Sequence, residues 1–292
     1  MMNFQMTEEQ LMLRDSVRGF AERYLAQGAL ARAHQKSFPR DVAKLLAEQG
    51  LMGITIPENA GGIGGALMDA VIAIETVASI CPRSADVVQS GNFGAIRTFG
   101  EYATKDQQKR FLEPLLKGEK IITVSMSEPE AGSAVTDLTT SATPDGDGFR
   151  INGTKVFGSH SPEADLFLVY VRFAPRLSGI GSVIVERGME GLTQGHPVRY
   201  LGGEEWAQLY FEDVYIGSEN VILGEGGFKK QIAGFNVERI GNSARSLALG
   251  QLAFEIARDH ALVRRQFGRP LCEFQGLQWK FAELKVQLDA AR

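Results

Sequence analysis

At 292 residues the chain exceeds the size at which one hydrophobic core usually stops growing, so two or three packed units are expected rather than one. Its composition, 44% hydrophobic and 23% charged, is that of an ordinary globular protein and excludes disordered, collagen-like and low-complexity classes. With 31 basic against 35 acidic residues the formal charge is -4, which supplies no cationic field for nucleic acid. Cys81 and Cys272 are far apart with no Cys/His cluster, so neither a disulfide framework nor a metal centre is expected. The first ten residues carry Glu8 and Glu9 where a signal peptide needs cationic and then apolar residues, and no apolar run reaches membrane-spanning length. A cytoplasmic protein without membrane contact is the expectation. The 33 glycines, about 11% against a usual ~7%, point to tight turns or close backbone approach to a ligand.

In chain order, Thr7-Glu8-Glu9-Gln10 is a capping-box pattern, and Leu13, Val17, Phe20 and Tyr24 follow at helical spacing. A second helix is predicted from about Pro39 to Gly50, with Val42, Leu45 and Leu46 on one face. The glycine-rich 57–65 reads as a loop, and apolar helices follow over roughly 66–80 and 84–99. Thr104-Lys105-Asp106-Gln107 repeats the capping box. From Lys120 short β-rich runs take over: 121–124, 149–151, 155–157, 166–171, 182–185 and 209–211, punctuated by turn signals at 144–148 and Asn152-Gly153. After Gly226-Gly227 helical periodicity returns, with a further helix near Phe274. The expected fold is α+β, divided into a helical unit over 1–118, a β-barrel or sandwich over 119–227, and a helical bundle, incomplete here, over 228–292. Leu247, Phe254, Phe281 and Leu284 are apolar positions that two helices alone leave with few partners.

No Walker loop, Gly-x-Ser-x-Gly elbow or His-Glu-x-x-His helix is present, and Gly62-Ile63-Gly64 lacks the third glycine of a dinucleotide fingerprint. The informative string is Ser125-Met126-Ser127-Glu128-Pro129-Glu130-Ala131-Gly132-Ser133, placed directly after the first strand. Its turn exposes backbone N–H groups, and the Ser127 and Ser133 hydroxyls can reach polar atoms of a ligand. The string resembles the Thr/Ser-Glu-Pro-x-Ala-Gly-Ser-Asp motif of the acyl-CoA dehydrogenase family in all but its last position. Further matches follow in the family's order. Pro57-Glu58 with Gly61-Gly62-Ile63-Gly64 looks like its first glycine-rich loop, and Phe157-Gly158-Ser159-His160 stands where the family has Trp-Ile-Thr-Asn. Arg264-Arg265-Gln266-Phe267-Gly268 with Phe274-Gln275 is similar to its Arg-x-x-Phe-Gly…Gln element. Ala134 replaces the motif's aspartate, with Asp137 a candidate substitute, and His160 replaces an amide.

The resemblance implies FAD as cofactor, bound through Met126, Ser127, Phe157, Gly158 and Ser159, with Arg264, Phe267 and Gln275 reaching a neighbouring subunit's FAD. Arginine suits a pyrophosphate because its planar fork makes charge-assisted, bidentate hydrogen bonds. It also implies α,β-dehydrogenation of an acyl-CoA to a 2-enoyl-CoA: a carboxylate removes the α-proton while the β-hydrogen leaves as hydride to the flavin. Electrons would pass to an electron-transferring flavoprotein, and the protein would form a homo-oligomer, a dimer or tetramer. Phe235-Asn236-Val237-Glu238-Arg239 matches the helix lining the acyl-CoA channel, so Ser133, Phe235, Asn236 and Arg239 are the implied substrate contacts. Isovaleryl and long-chain members carry the base immediately before that arginine, where Glu238 stands; other members carry it on a late loop that would lie beyond Arg292. Family members usually continue through further helices, so the chain reads as a partial version. An acyl-CoA oxidase and a non-catalytic flavin-binding member remain alternatives, and the nucleic-acid-binding branch is disfavoured by the charge.

Overall fold

The computed structural model describes residues 5–292; residues 1–4, part of the stretch read for a leader, lie outside the described residues. Helix α1 (Glu8–Tyr24) opens on the expected capping box, with Thr7 and Gln10 each accepting the other's backbone N–H. The short α2 (Ala29–Ala33) leads to α3 (Arg40–Glu48), which begins directly after Pro39. The apolar α4 (Leu67–Ala78) and α5 (Pro82–Ser90) are laid side by side at the centre of this region. The single helix expected over 84–99 is in fact two. Gly91 stops α5, and Gly94 at φ +64°, a conformation glycine tolerates best, turns the chain into α6 (Ala95–Tyr102). A last helical run starts at the second capping box, Thr104 with Gln107, and comprises α7 (Lys105–Gln107), a π-type turn over Gln108–Leu112 and α8 (Glu113–Leu116).

The β region contains β1 (Ile122–Ser125), β2 (Ser141–Asp145), β3 (Gly148–Lys155), β4 (Leu166–Arg172), β5 (Ile180–Glu186), β6 (Leu192–Gln194), β7 (Val198–Arg199), β8 (Glu205–Trp206), β9 (Leu209–Gly217) and β10 (Val221–Leu223). Eight of them form one sheet in the order β10-β5-β4-β2-β3-β9-β6, with β1 parallel to β4; β7 and β8 pair separately. The turn signal at 144–148 is a hairpin, Asp145 facing Gly148. Asn152-Gly153, by contrast, is not a turn but a register shift inside β3 opposite β9, where Asn152 exchanges hydrogen bonds with Asp213. Gly153 is required there, since a Cβ would stand 2.5 Å from Thr140 Oγ1. Side chains alternate across a strand, and both faces of β4 are covered: Phe167, Val169 and Val171 enter the main core, while Leu166 and Leu168 join Phe99, Phe111 and Leu112 of the helices. That double burial is why its sequence is an unbroken apolar run.

Helix α9 (Phe228–Val263) then crosses α4 and α5. Gly241, Ala244 and Ala248 are its buried contact residues, and a Cβ on Gly241 would come within 2.6 Å of Phe93, so the small residues set how closely the helices approach. A tight hairpin of β11 (Arg265–Gln266) and β12 (Arg269–Pro270) leads into α10 (Gln275–Ala291). Phe254 of α9 and Phe281 of α10 meet edge to face at 5.6 Å, whereas Leu284 is exposed and Leu247 half-buried. No helix among the described residues is long and apolar enough to cross a membrane.

Candidate active site

A cavity of about 390 Å³ opens where the sheet region meets α5 and α9. One wall comes from β1 and the segments after β1 and β3: Val124, Met126, Ser127, Val156, Phe157 and Ser159. The helices contribute further lining, Gln89 from α5, Phe93 from the turn after it, and Phe235, Glu238 and Asn242 from α9. Of the residues singled out from sequence, Met126, Ser127, Phe157, Ser159, Phe235 and Glu238 therefore share one cavity. Gly158 lies buried behind the wall, where a Cβ would meet Thr123 Oγ1 at 3.1 Å. Ser133, Asn236 and Arg239 are exposed outside it, and Arg239 bonds Asn236 at 3.1 Å. Arg264, Phe267 and Gln275 sit on and beside the β11–β12 hairpin, exposed and clear of this chain's cavity. Asp137 is exposed on a short 3₁₀ turn and accepts from Thr136 at 3.4 Å.

The β-rich run read over 155–157 is shorter than expected. β3 stops at Lys155, and Phe157 takes φ +61°, as does His160. An aromatic residue in that region is strained, and such strain concentrates at functional sites. The effect is to hold the Phe157 ring out into the cavity, 59% exposed, backed by Trp206 at 4.6 Å. A flat aromatic face flanked by the Ser127 and Ser159 hydroxyls fits an isoalloxazine in both shape and donor chemistry.

The string that carries Met126 and Ser127 is held by a buried ion pair that local patterning did not reveal. Glu128 accepts from Thr139 N at 2.6 Å, Thr139 Oγ1 at 2.8 Å, Thr140 N at 2.9 Å and Thr140 Oγ1 at 2.5 Å. Lys155 Nζ completes the set at 2.8 Å and also donates to the Met126 carbonyl at 3.0 Å. Burial alone would raise the Glu128 carboxyl, but Lys155 and the threonine donors outweigh it and hold it at about 2. Burial lowers Lys155 to about 8 against the pull of Glu128.

On the helical wall, Gln89 Nε2 donates to Glu238 Oε1 at 2.6 Å and to Asn242 Oδ1 at 2.9 Å. Burial raises the Glu238 carboxyl above its ordinary value, and the Asp86 charge adds to this, against the Gln89 hydrogen bond and Arg245. Asp86 itself, although burial would raise it, is held at about 2 by His160 at 3.2 Å, by Arg245 and by Arg83. Glycine at 94 leaves room for the Glu238 carboxyl, since a Cβ there would lie 3.3 Å from Glu238 Oε2. Asp86, His160 and Glu204 bring ligand-type atoms within 4.8 Å of one another, but Arg83 and Arg245 already neutralise these carboxylates and oppose a cation.

The three parts of the molecule match the descriptions acyl-CoA dehydrogenase N-terminal domain over residues 7–119, middle domain over 123–214 and C-terminal domain over 225–292. The chain belongs to the acyl-CoA dehydrogenase family. It is 33% identical over 296 residues to a short-chain specific acyl-CoA dehydrogenase of Clostridium acetobutylicum, covering 100% of this chain and 78% of that one. A 3-sulfinopropanoyl-CoA desulfinase of Advenella mimigardefordensis is 34% identical, covering 99% of this chain and 75% of its own. The butyryl-CoA dehydrogenase structure from Megasphaera elsdenii superposes with a TM-score of 0.89 at 29% identity, covering 99% and 77% of the two chains. Acyl-CoA dehydrogenase family members are FAD-dependent oxidoreductases.

Proposed function

We propose that this chain dehydrogenates an acyl-CoA thioester at its α and β carbons, with Glu238 as the base, and passes the electrons to an electron-transferring flavoprotein. The observation that carries the reading is that Glu238 and Phe157, with Met126, Ser127 and Ser159, line one cavity. FAD, when bound, supplies the acceptor for the β-hydride. Met126, Ser127, Phe157 and Ser159 bind and orient its ring system, and Gly158 lets the strand end pass close to Thr123. Glu238 takes the α-proton at a carboxylate oxygen, its raised pKa bringing its basicity nearer to the working range. Gln89 holds that carboxylate in place. The exposed Ser133, Asn236 and Arg239 contact the CoA portion outside the cavity.

Arg264, Phe267 and Gln275 lie at the far end of α9, so we assign them to the cavity of a second copy, in a homodimer or homotetramer. The three folding units join near 118–119 and 227–228, and the enzyme works in the cytoplasm. The test is anaerobic bleaching of the FAD-loaded protein by a panel of acyl-CoA thioesters: substrate-dependent loss of flavin absorbance supports the reading, and none with any thioester overturns it. Rapid re-oxidation of the bleached protein by air would instead make it an oxidase.

A further inference from the structure

The helical wall of the cavity is mixed, with Phe93 and Phe235 set among polar side chains. α5 presents Asp86, Gln89 and Ser90, and α9 presents Glu238, Asn242 and Arg245, at the three- and four-residue spacings that put side chains on one face. These polar side chains, with Gln231, stand around Phe93 and Phe235 and offer hydrogen-bonding groups that a plain hydrocarbon chain would leave unused. Asp86 is paired with Arg245 and hydrogen-bonded to His160, and the neighbouring Glu204 is paired with Arg83 at 2.7 Å. Among the described residues, two buried amides at this wall lack a full set of partners: Gln231, which stands against the Tyr170 hydroxyl, and Gln89. Gln89 is 4% exposed, its Nε2 serves both Glu238 and Asn242, and its Oε1 has no partner among the described residues. Turning the amide over would set an oxygen against two acceptors, so this orientation follows from the network. A buried acceptor without a donor is costly, and a ligand that brings the donor recovers that cost.

We propose that the acyl group accepted here is short and carries a neutral hydrogen-bond donor, a hydroxyl or amide N–H, that binds Gln89 Oε1. This rests on the acyl-CoA reading above and narrows it. A terminal anion would stand beside Asp86 and Glu238 and have to compete for Arg245, and a terminal ammonium would meet Arg245 directly. The length follows from the volume, since about 390 Å³ is near the small end for ligand sites and is shared with the flavin ring.

The experiment uses FAD-loaded protein with three thioesters of similar length: 4-hydroxybutyryl-CoA, its near-isostere valeryl-CoA, and succinyl-CoA. Calorimetry gives Kd, and anaerobic bleaching is followed in parallel. The hydroxy compound is expected to bind at least ~10-fold tighter than the other two, because a site built to bond a hydroxyl rejects the analogue lacking it. Gln89→Met should remove the preference over valeryl-CoA. Equal or tighter binding of valeryl-CoA, tighter binding of succinyl-CoA, or a preference that survives in Gln89→Met overturns the inference. If that variant does not fold, the wild-type order of affinities decides. Preference without bleaching would sink the proposed dehydrogenation while leaving the subsite standing; bleaching without preference would do the reverse, and binding of none sinks both.

Discussion

Two glutamates illustrate how the same side chain is given opposite properties. Glu128 is 5% exposed, with four threonine donors and a lysine around its carboxylate, so it is locked in the charged form. Glu238 faces a cavity with one donor on it and an acidic neighbour behind, so its proton is easier to retain. Environments that push two carboxylates apart separate structural from chemical roles. Glu128 is complete without a ligand, while the Glu238 wall is left with the unpaired Gln89 oxygen.

The largest effect should come from breaking the complete site. Glu128→Gln leaves Lys155 buried without its counter-ion, and loss of one partner of a buried pair costs about 3–5 kcal/mol of stability. Chemical denaturation should show it. Lys155→Met, which leaves Glu128 its four threonine hydrogen bonds, should cost less, and a larger loss than in Glu128→Gln would reverse the roles assigned to the pair. The pH dependence has a definite sign. A carboxyl whose folded pKa is depressed contributes its full stability above its unfolded value, 4.5, and loses it as the pH falls toward about 2. The wild-type denaturation midpoint should therefore fall through that window more steeply than that of Glu128→Gln.

The incomplete site should respond in rate rather than in stability. Glu238→Gln is expected to keep FAD and acyl-CoA binding but to slow flavin reduction by at least ~10²-fold, the lower range for a positioned base. Stopped-flow bleaching measures it, and near-normal reduction would move the base elsewhere, including beyond Arg292. A smaller effect sharpens the comparison further. The acid limb of kcat/KM should lie above the ordinary carboxylate range, and Asp86→Asn should shift it to lower pH by removing a neighbouring negative charge and releasing Arg245. A shift to higher pH would show that Asp86 does not act on Glu238.

Local features were the legible ones. The Thr7 and Thr104 capping boxes hold because their donors and acceptors lie within four residues. The apolar run of β4 could be read as a strand, but that both of its faces are covered depends on helices about 50 to 70 residues earlier in the chain. The β-rich run read over 155–157 ends at Lys155 instead, because a positive φ at the aromatic Phe157 is imposed by tertiary surroundings, not by its own preference. Lys155 stands 27 residues from Glu128, and nothing in strand periodicity connects them. Asp86 and Gln89 went unnoticed although their spacing places both on one helix face, a signal available beside the apolar Val87 and Val88. The site motifs located Met126, Ser127, Phe157, Ser159 and Glu238 at one cavity but could not disclose that Asn236 and Arg239 turn away from it.

The length of α9 carries a consequence for symmetry. Glu238 lies on α9 and Arg264 directly follows its last residue, 26 positions beyond Glu238, and at 1.5 Å per residue that is ~39 Å along the axis. A straight rod of that length cannot fold its two ends into a single pocket. If Arg264 serves a neighbour's cavity and the neighbour returns the service, the pairing is a twofold one in which every complete site draws on two chains. Chains carrying Glu238→Gln and chains carrying Arg264→Ala would then complement each other when mixed: in each hybrid pair one cavity receives both defects and the other receives neither.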